Sequence, residues 1–236
     1  MEMNILCTVL ARGGSKGLKN KNTKLLYGKP LIHYTLEQAQ KSGVFTHVAV
    51  NSDSDSILET ASKLQGIETV KRPIELANDT ISKRPAIRQT VTEMENKYSL
   101  KYDVVIDLDC TSPLRDVQDI HNALNKFMAD DNDNLITAMP SRRSPYFNMV
   151  KLDEKGRVKI VIETETPITC RQDAPACFDM NASIYIWKRD ILFNTESNYL
   201  DKTGLYVMPE ERSIDIDCQL DFDFVEFMIG KKNAEG

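Results

Sequence analysis

Strand-like and helix-like segments alternate through the first 140 residues of this 236-residue chain, and that alternation limits the fold more than any other feature. "NILCTVLA" is a continuous apolar run of the kind buried on both faces of a sheet. Pro30 opens "PLIHYTLEQAQKS", with helical spacing at Leu31, Tyr34, Leu36 and Ala39 and with Gly43 where a helix C-terminal glycine belongs. "THVAVNSD", "IETVKR", "YDVVIDLD" and "NLITAMP" read as further strands. Helical patterns over "SDSILETASKLQG", 85–98 and "DVQDIHNALNKFMAD" separate them. Repeated β-α units of this length predict an α/β fold: a three-layer α/β/α arrangement around a mostly parallel, Rossmann-like sheet.

The pattern changes after residue 140. "YFNMVKLDEKGRVKIVIE" predicts a hairpin turning at Asp153–Gly156, and a loop rich in Thr, Pro and Cys follows. "NASIYIWKR", "GLYVMP" and "SIDIDC" read as strands and "LDFDFVEFMIGKK" as a closing helix. The expectation is one domain over 1–236, with 141–178 an excursion from its core. With a mean hydropathy of -0.38 and no long apolar run, no membrane span is expected. A pI near 5.4 with only local basic clustering argues against nucleic acid as a partner. The five cysteines are odd in number and lack a C-x-x-C pair, which points to reduced thiols and a cytoplasmic location.

Against this acidic background stands "VLARGGSKGLKNKN". Arg12, Lys16, Lys19, Lys21, Lys24 and Lys29 fall between Glu2 and Glu37 with no acid among them. The loop follows a predicted strand, and ligand crevices of open α/β sheets lie at the carboxyl ends of strands. Gly13, Gly14 and Gly17 let backbone N–H groups approach an anion. The spacing matches neither a Walker A loop nor G-x-G-x-x-G. A second constellation is "SIDIDCQLDFD". On a strand, Asp215 and Asp217 point to one face, where two like charges call for a bridging cation. Mg²⁺ suits this, taking one or two carboxylates together with substrate phosphates. Asp221 and Asp223 fit the start of a helix instead. A basic loop with a metal-holding acid pair is what nucleotidyl transfer from a nucleoside triphosphate requires.

"ARGGSKGLKNKN", "KRPIELANDT", "TSPLR", "RQ…NASIYI" and "SIDIDCQLD", in this order from residue 5 to about 228, resemble the CMP-acylneuraminate synthetases. The resemblance implies a nucleotidyltransferase that joins CMP from CTP to a nine-carbon 2-keto sugar acid, a nonulosonic acid, with release of pyrophosphate. The CMP-sugar would serve surface glycan or flagellin glycosylation. By position it implies Arg12, Lys16 and Lys21 as triphosphate ligands and charge stabilisers. Ala11, Arg12, Gly13, Gly14, Asn22, Arg72 and Ser82 would bind the nucleotide. Asp215 and Asp217 would hold Mg²⁺. Asp109, Arg171, Asn181 and Tyr185 would bind the sugar acid, and the 141–178 excursion would form a homodimer. Arg171 also has a reason of its own, since a guanidinium pairs bidentately with a carboxylate, whereas Tyr185 fits core and pocket equally. Lys19 and Lys24 read as solvated charges.

Two departures bear on the sugar. Many sialic acid enzymes have Gln-Pro before "TSPLR", where this chain has Asp109-Cys110. The family often has Arg-Pro-Asn-Gly where this chain has Asp179-Met180-Asn181-Ala182. "DLDCTSPLR", "RRSPYFN" and "CFDMNASIYI" look most like the bacterial branch acting on legionaminic acid. In that reading the Asp109 carboxylate accepts an amide N–H of the sugar. N-acetylneuraminic and pseudaminic acid stay open as alternative sugars, and a non-catalytic nucleotide-binding module as an alternative class.

Overall fold

The computed structural model describes residues 3–14, 17–77 and 82–235. Its β-α repeats follow the apolar periodicity. β1 (Ile5–Leu10) leads through the short ribbon of β2 (Leu25–Leu26) and β3 (Lys29–Pro30) into α1 (Leu31–Ser42), which Gly43 ends at φ 65°. β4 (His47–Ser52), α2 (Asp55–Ser62), β5 (Ile67–Lys71), α3 (Arg84–Tyr98), β6 (Val104–Leu108), α4 (Val117–Ala129) and β7 (Asn134–Pro140) follow. The side chain of Asp116 caps α4 by accepting from the Gln118 N–H, and Asp119 returns the bond to the Asp116 N–H. The chain then forms β8 (Val150–Leu152), β9 (Val158–Ile160), β10 (Phe178–Lys188), α5 (Arg189–Asn194), β11 (Thr203–Val207) and α6 (Gln219–Glu235).

Seven strands make one sheet in the order β11-β7-β10-β6-β1-β4-β5, all parallel except β10. Side chains alternate across a strand, so β1 feeds two cores. Cys7 and Val9 pack with Ile32, Leu36, Ile57, Ile120 and Phe127 of α1, α2 and α4. Leu6, on the other face, packs with Ile87, Val91 and Met94 of α3 and Leu192 of α5. Burial on both faces is why the strand reads as an unbroken apolar run. Chain order runs outward from β1 through β4 to β5, then returns to β6 on the opposite flank of β1. The loops after β1 and β6 therefore diverge, opening a crevice at a topological switch point.

Two expectations meet the structure differently. The hairpin in 141–178 forms: β8 and β9 pair antiparallel, Gly156 turns at φ 74°, and the Asp153 carboxylate accepts from the Lys155 and Arg157 N–H groups. It stands apart from the main sheet and leaves Val150, Leu152 and Val158 exposed. The strand expected over "SIDIDC" does not form. Residues 213–217 run as coil between a 3-10 turn (Glu210–Arg212) and α6, because Ile214 and Ile216 pack into a side cluster with Phe222 and Val225 rather than joining the sheet. Among the described residues no helix is long and apolar enough to cross a membrane.

Candidate active site

The loop after β1 is held open by its backbone. Ala11 N–H donates to the Asn51 carbonyl at 3.1 Å and Gly13 N–H to Asp53 Oδ1 at 2.9 Å. Asn22 is buried; its Nδ2 donates to the Arg12 carbonyl at 3.1 Å and its Oδ1 accepts from Cys110 Sγ at 3.1 Å. It pins the loop to the end of β6, which leaves its amide committed within the protein. A Cβ on Gly13 would come within 3.0 Å of Ser54 Cβ, whereas one on Gly14 would meet open space. A Cβ on Gly17 would collide with the Asp217 carbonyl, so glycine is what lets the basic loop lie against the acidic segment. Arg12 is half-buried in this loop. Lys16 lies outside the described residues.

Lys21 bridges the two constellations. Its Nζ donates to the Ile216 carbonyl at 2.5 Å and lies 3.4 Å from Asp217 Oδ1. The lysine side chain is 12% exposed and the aspartate 80%. Asp215 turns inward, and its buried Oδ1 has no hydrogen-bond partner. Burial, then the nearby Asp109 and Asp217 carboxylates, raises its pKa. An anionic oxygen left unpaired among carboxylates is the place a cation is missed most. The donor chemistry suits Mg²⁺, but with the strand lost the two carboxylates no longer share a face, Asp215 turning inward and Asp217 to solvent. Among the described residues no group of three or more His, Cys, Asp or Glu side chains is placed to hold a metal.

On β6 a second acid pair has its own cation. Asp107 lies beside Thr8 of β1 and Tyr185 of β10 in the sheet register. Its Oδ1 accepts from Thr8 Oγ1 at 2.7 Å, while Oδ2 is buried without a hydrogen bond, 4.0 Å from Lys83 Nζ. Burial pushes its pKa up to about 6, against the pull of Lys83 and Thr8. Asp109 accepts from Lys83 Nζ at Oδ2, and from the Thr111 N–H (3.0 Å) and hydroxyl (2.7 Å) at Oδ1. Burial would raise its pKa, but Lys83 and Thr111 outweigh it and bring it to about 2. Lys83 responds in kind: burial disfavours its charge, and the Asp109 and Asp107 carboxylates more than restore it. Its Nζ also sits 5.9 Å from the Tyr185 ring centroid.

Asp109, read from the sequence as accepting a sugar amide N–H, is already engaged at both oxygens within the protein, by Lys83 and by Thr111. Asn181 is likewise inward, buried in a network in which its Oδ1 accepts from Thr137 Oγ1 (2.7 Å) and its Nδ2 donates to Ser213 Oγ (2.9 Å). Its amide has no face left for a sugar. Arg171 lies in the excursion, donating to the Ser141 and Arg142 carbonyls, in a groove with Pro140, Ser144 and Phe178 whose lining includes neither Asp109 nor Tyr185. Arg72 is buried at the end of β5, its guanidinium on the Asn51 side chain (2.5 Å) and carbonyl (2.9 Å). Ser82 is exposed beside Lys83. Tyr185 is half-buried, stacked on Trp187 at 5.6 Å with its other neighbour Lys83, so it serves core and cleft together. Lys24 is no solvated charge: it donates to Gln219 Oε1 at 2.7 Å and lies over Phe222.

Sequence reasoning missed Lys83, Asp107 and Arg115. An acid inside the apolar strand "VVIDL" was a signal, because buried charge is costly and concentrates at functional sites. Lys83, in a polar loop, carried none. Arg115 of "TSPLR" is a buried strut that donates to the Ser183 carbonyl (2.6 Å) and Thr35 Oγ1 (3.0 Å), tying the loop after β6 to β10 and α1.

A family model described as Cytidylyltransferase matches residues 6–232. The chain is 46% identical over 229 residues to the CMP-N,N'-diacetyllegionaminic acid synthase of Campylobacter jejuni subsp. jejuni serotype O:2, covering 97% of this chain and 96% of that protein. It is 43% identical over 231 residues to the post-translational flagellin modification protein B of Campylobacter coli, covering 98% and 97%. The solved structure of a CMP:2-keto-3-deoxy-manno-octonic acid synthetase complexed with CTP aligns with a TM-score of 0.70 over 97% of this chain and 99% of its own, at 17% identity, a likeness of fold alone. With a family match running from β1 into α6, and two relatives at 46% and 43% identity along almost the whole length, the chain belongs to the cytidylyltransferase family.

Proposed function

We propose that this cytidylyltransferase moves CMP from CTP to the C2 hydroxyl of a nine-carbon 2-keto sugar acid, 5,7-diacetamido legionaminic acid, and releases pyrophosphate. The observation that carries the sugar assignment is the 46% identity, over nearly full length, to a protein whose name specifies that product. The flagellin modification name of the second relative agrees with a CMP-sugar destined for protein or surface glycosylation.

The loop after β1 and the cations Arg12, Lys16 and Lys21 would receive the triphosphate. Arg72, Asn22 and Ser82 border the nucleotide end, with Asn22 and Arg72 shaping it from behind. The C2 oxygen bonds to the α-phosphorus as the bond to the bridging β-phosphate oxygen breaks, pyrophosphate leaves with that bond's electron pair, and the hydroxyl proton passes to solvent water. Negative charge grows on the α-phosphate and the departing pyrophosphate. Lys21, fixed by its bond to the Ile216 carbonyl, is preorganised to stabilise that charge without reorganising. Asp215 and Asp217 would hold Mg²⁺, which when bound neutralises phosphate charge. The excursion supplies a homodimer face through Val150, Leu152 and Val158, a mass that light scattering would report.

The decisive experiment supplies CTP with 5,7-diacetamido legionaminic, N-acetylneuraminic and pseudaminic acids, following pyrophosphate and the mass of the CMP-sugar. The legionaminic acid should give the highest kcat/KM. Preference for either other acid replaces the sugar, and no pyrophosphate with any acid favours the non-catalytic module.

A further inference from the structure

The sugar-facing end of the crevice holds an unusual group: an ammonium on a polar loop, gripped by one carboxylate and flanked by a second. Lys83 keeps 44% of its side chain exposed, while Asp109 beneath it keeps 12% and Asp107 1%. An ammonium has three donors. Among the described residues only the Asp109 oxygen lies within hydrogen-bond reach of it, since Asp107 Oδ2 is 4.0 Å away. Donors therefore remain for a ligand. Charge decides which ligand. With Asp107 ionised, the trio carries a net charge of about -1, and with Asp107 protonated it is about neutral. In neither state does it offer a surplus positive charge to an incoming carboxylate. A neutral oxygen acceptor suits it in both.

The surroundings narrow that acceptor. Beside Lys83 lies the Tyr185 ring, and five residues earlier on β10, across a bulge, is Met180, 40% exposed. Tyr199, itself exposed, donates its hydroxyl to Met180 Sδ at 3.2 Å and stands close enough to Tyr185 to influence its ionisation. One fixed N–H donor beside an aromatic and thioether surface complements an acetamido group, whose carbonyl accepts and whose methyl wants apolar contact.

Resting on the legionaminic acid reading above, we propose that Lys83, buttressed by Asp109, is a specificity-determining residue that donates to an acetamido carbonyl of the sugar acid while Tyr185 and Met180 take the methyl. The Asp109-for-glutamine departure then acts through Lys83: the acid selects no sugar atom, it anchors the ammonium that does. A sugar with a hydroxyl in place of that acetamido leaves the donor and the apolar patch unmatched, and sites built on such polar contacts discriminate strongly.

The test is kcat/KM for 5,7-diacetamido legionaminic acid and for N-acetylneuraminic acid, in the native enzyme and in Lys83→Met. The native preference for the diacetamido sugar should fall about 10-fold or more in the variant, with the loss in the sugar's KM rather than that of CTP. Because Lys83→Met strands the Asp109 carboxylate, the double variant Lys83→Met/Asp109→Asn removes both charges and should show the same collapse. Lys83→Arg, which keeps the charge, should retain part of the preference. A native preference that survives in the single and double variants overturns the role of Lys83 and leaves the substrate reading standing. A native enzyme without the preference overturns the substrate reading, and the inference with it.

Discussion

The molecule carries two Asp-x-Asp pairs at the same crevice, Asp107/Asp109 and Asp215/Asp217, and they have opposite fates. The first is at the end of the central strand β6, deep in the sheet, with Lys83, Thr8 and Thr111 as partners. The second lies on coil, with one oxygen of Asp215 buried and unpaired and Asp217 open to solvent beside Lys21. Spacing does not make a metal site. What separates the pairs is how fully the protein satisfies them. In the β6 pair Asp109 is held at both oxygens by Lys83 and Thr111, whereas in the coil pair Lys21 reaches only the exposed Asp217 and one buried Asp215 oxygen has no partner.

The largest effect expected on this contrast comes from Lys21→Ala. Removing a preorganised charge beside the coil pair should lower turnover about 10²- to 10³-fold, with the thermal midpoint little changed. Near-native turnover at saturating CTP would dissolve the distinction between an active and a scaffolding pair.

Metal dependence sharpens it further. Asp215→Asn and Asp217→Asn should each raise the Mg²⁺ concentration for half-maximal activity about 10-fold or more, whereas Asp107→Asn should leave it unmoved. Full activity of the native enzyme in excess chelator would sink the metal reading. Stability should move the other way. Without metal, Asp215→Asn should unfold no sooner than the native chain, because it removes a charge held in a buried site beside the Asp109 and Asp217 carboxylates. Asp109→Asn should cost about 1–2 kcal/mol in denaturant unfolding, less than a wholly buried pair because the Lys83 head stays wet.

pH divides the β6 pair itself. Asp107 has its folded pKa raised to about 6, so its contribution is present in acid and lost as pH rises through that value. Asp109 has its pKa lowered to about 2, so its contribution is present above the ordinary carboxylate range and lost as pH falls towards 2. Relative to native, Asp107→Asn should therefore gain stability between pH 4 and pH 8, by about 1–3 kcal/mol. A pH-independent difference in urea midpoints across that span would remove Asp107 from the account.

The smallest effect lies at the bulge between Met180 and Tyr185, where Ala182 sits at φ 52°, a region that penalises a Cβ. Ala182→Gly should stabilise by up to about 1 kcal/mol, the relief of strain being partly offset by the freer unfolded chain. A lower thermal midpoint would mean that the alanine methyl packs usefully beside the sugar end.

Periodicity alone determined most of the architecture. An unbroken apolar strand, helices ended by Gly43 and similar stops, and a hairpin around Gly156 are consequences of local chemistry, and each is visible within a dozen residues. The basic loop was equally legible, because a cluster of six cations in an acidic chain marks an anion site without reference to the rest of the fold. Three matters required the tertiary structure. Whether residues 213–217 would be strand or coil depended on Ile214 and Ile216 finding Phe222 and Val225 rather than a neighbouring strand. Whether Asp109 and Asn181 faced a ligand depended on partners 26 and 44 residues away, Lys83 and Thr137. That Lys83, from an unremarkable polar loop, would stand over the β6 carboxylates depended on α3 docking against β1 and β4. Local pattern reports which groups a chain owns. Which of them are already satisfied is a property of long-range contacts, because a hydrogen bond or an ion pair is spent on whatever partner the fold brings within reach.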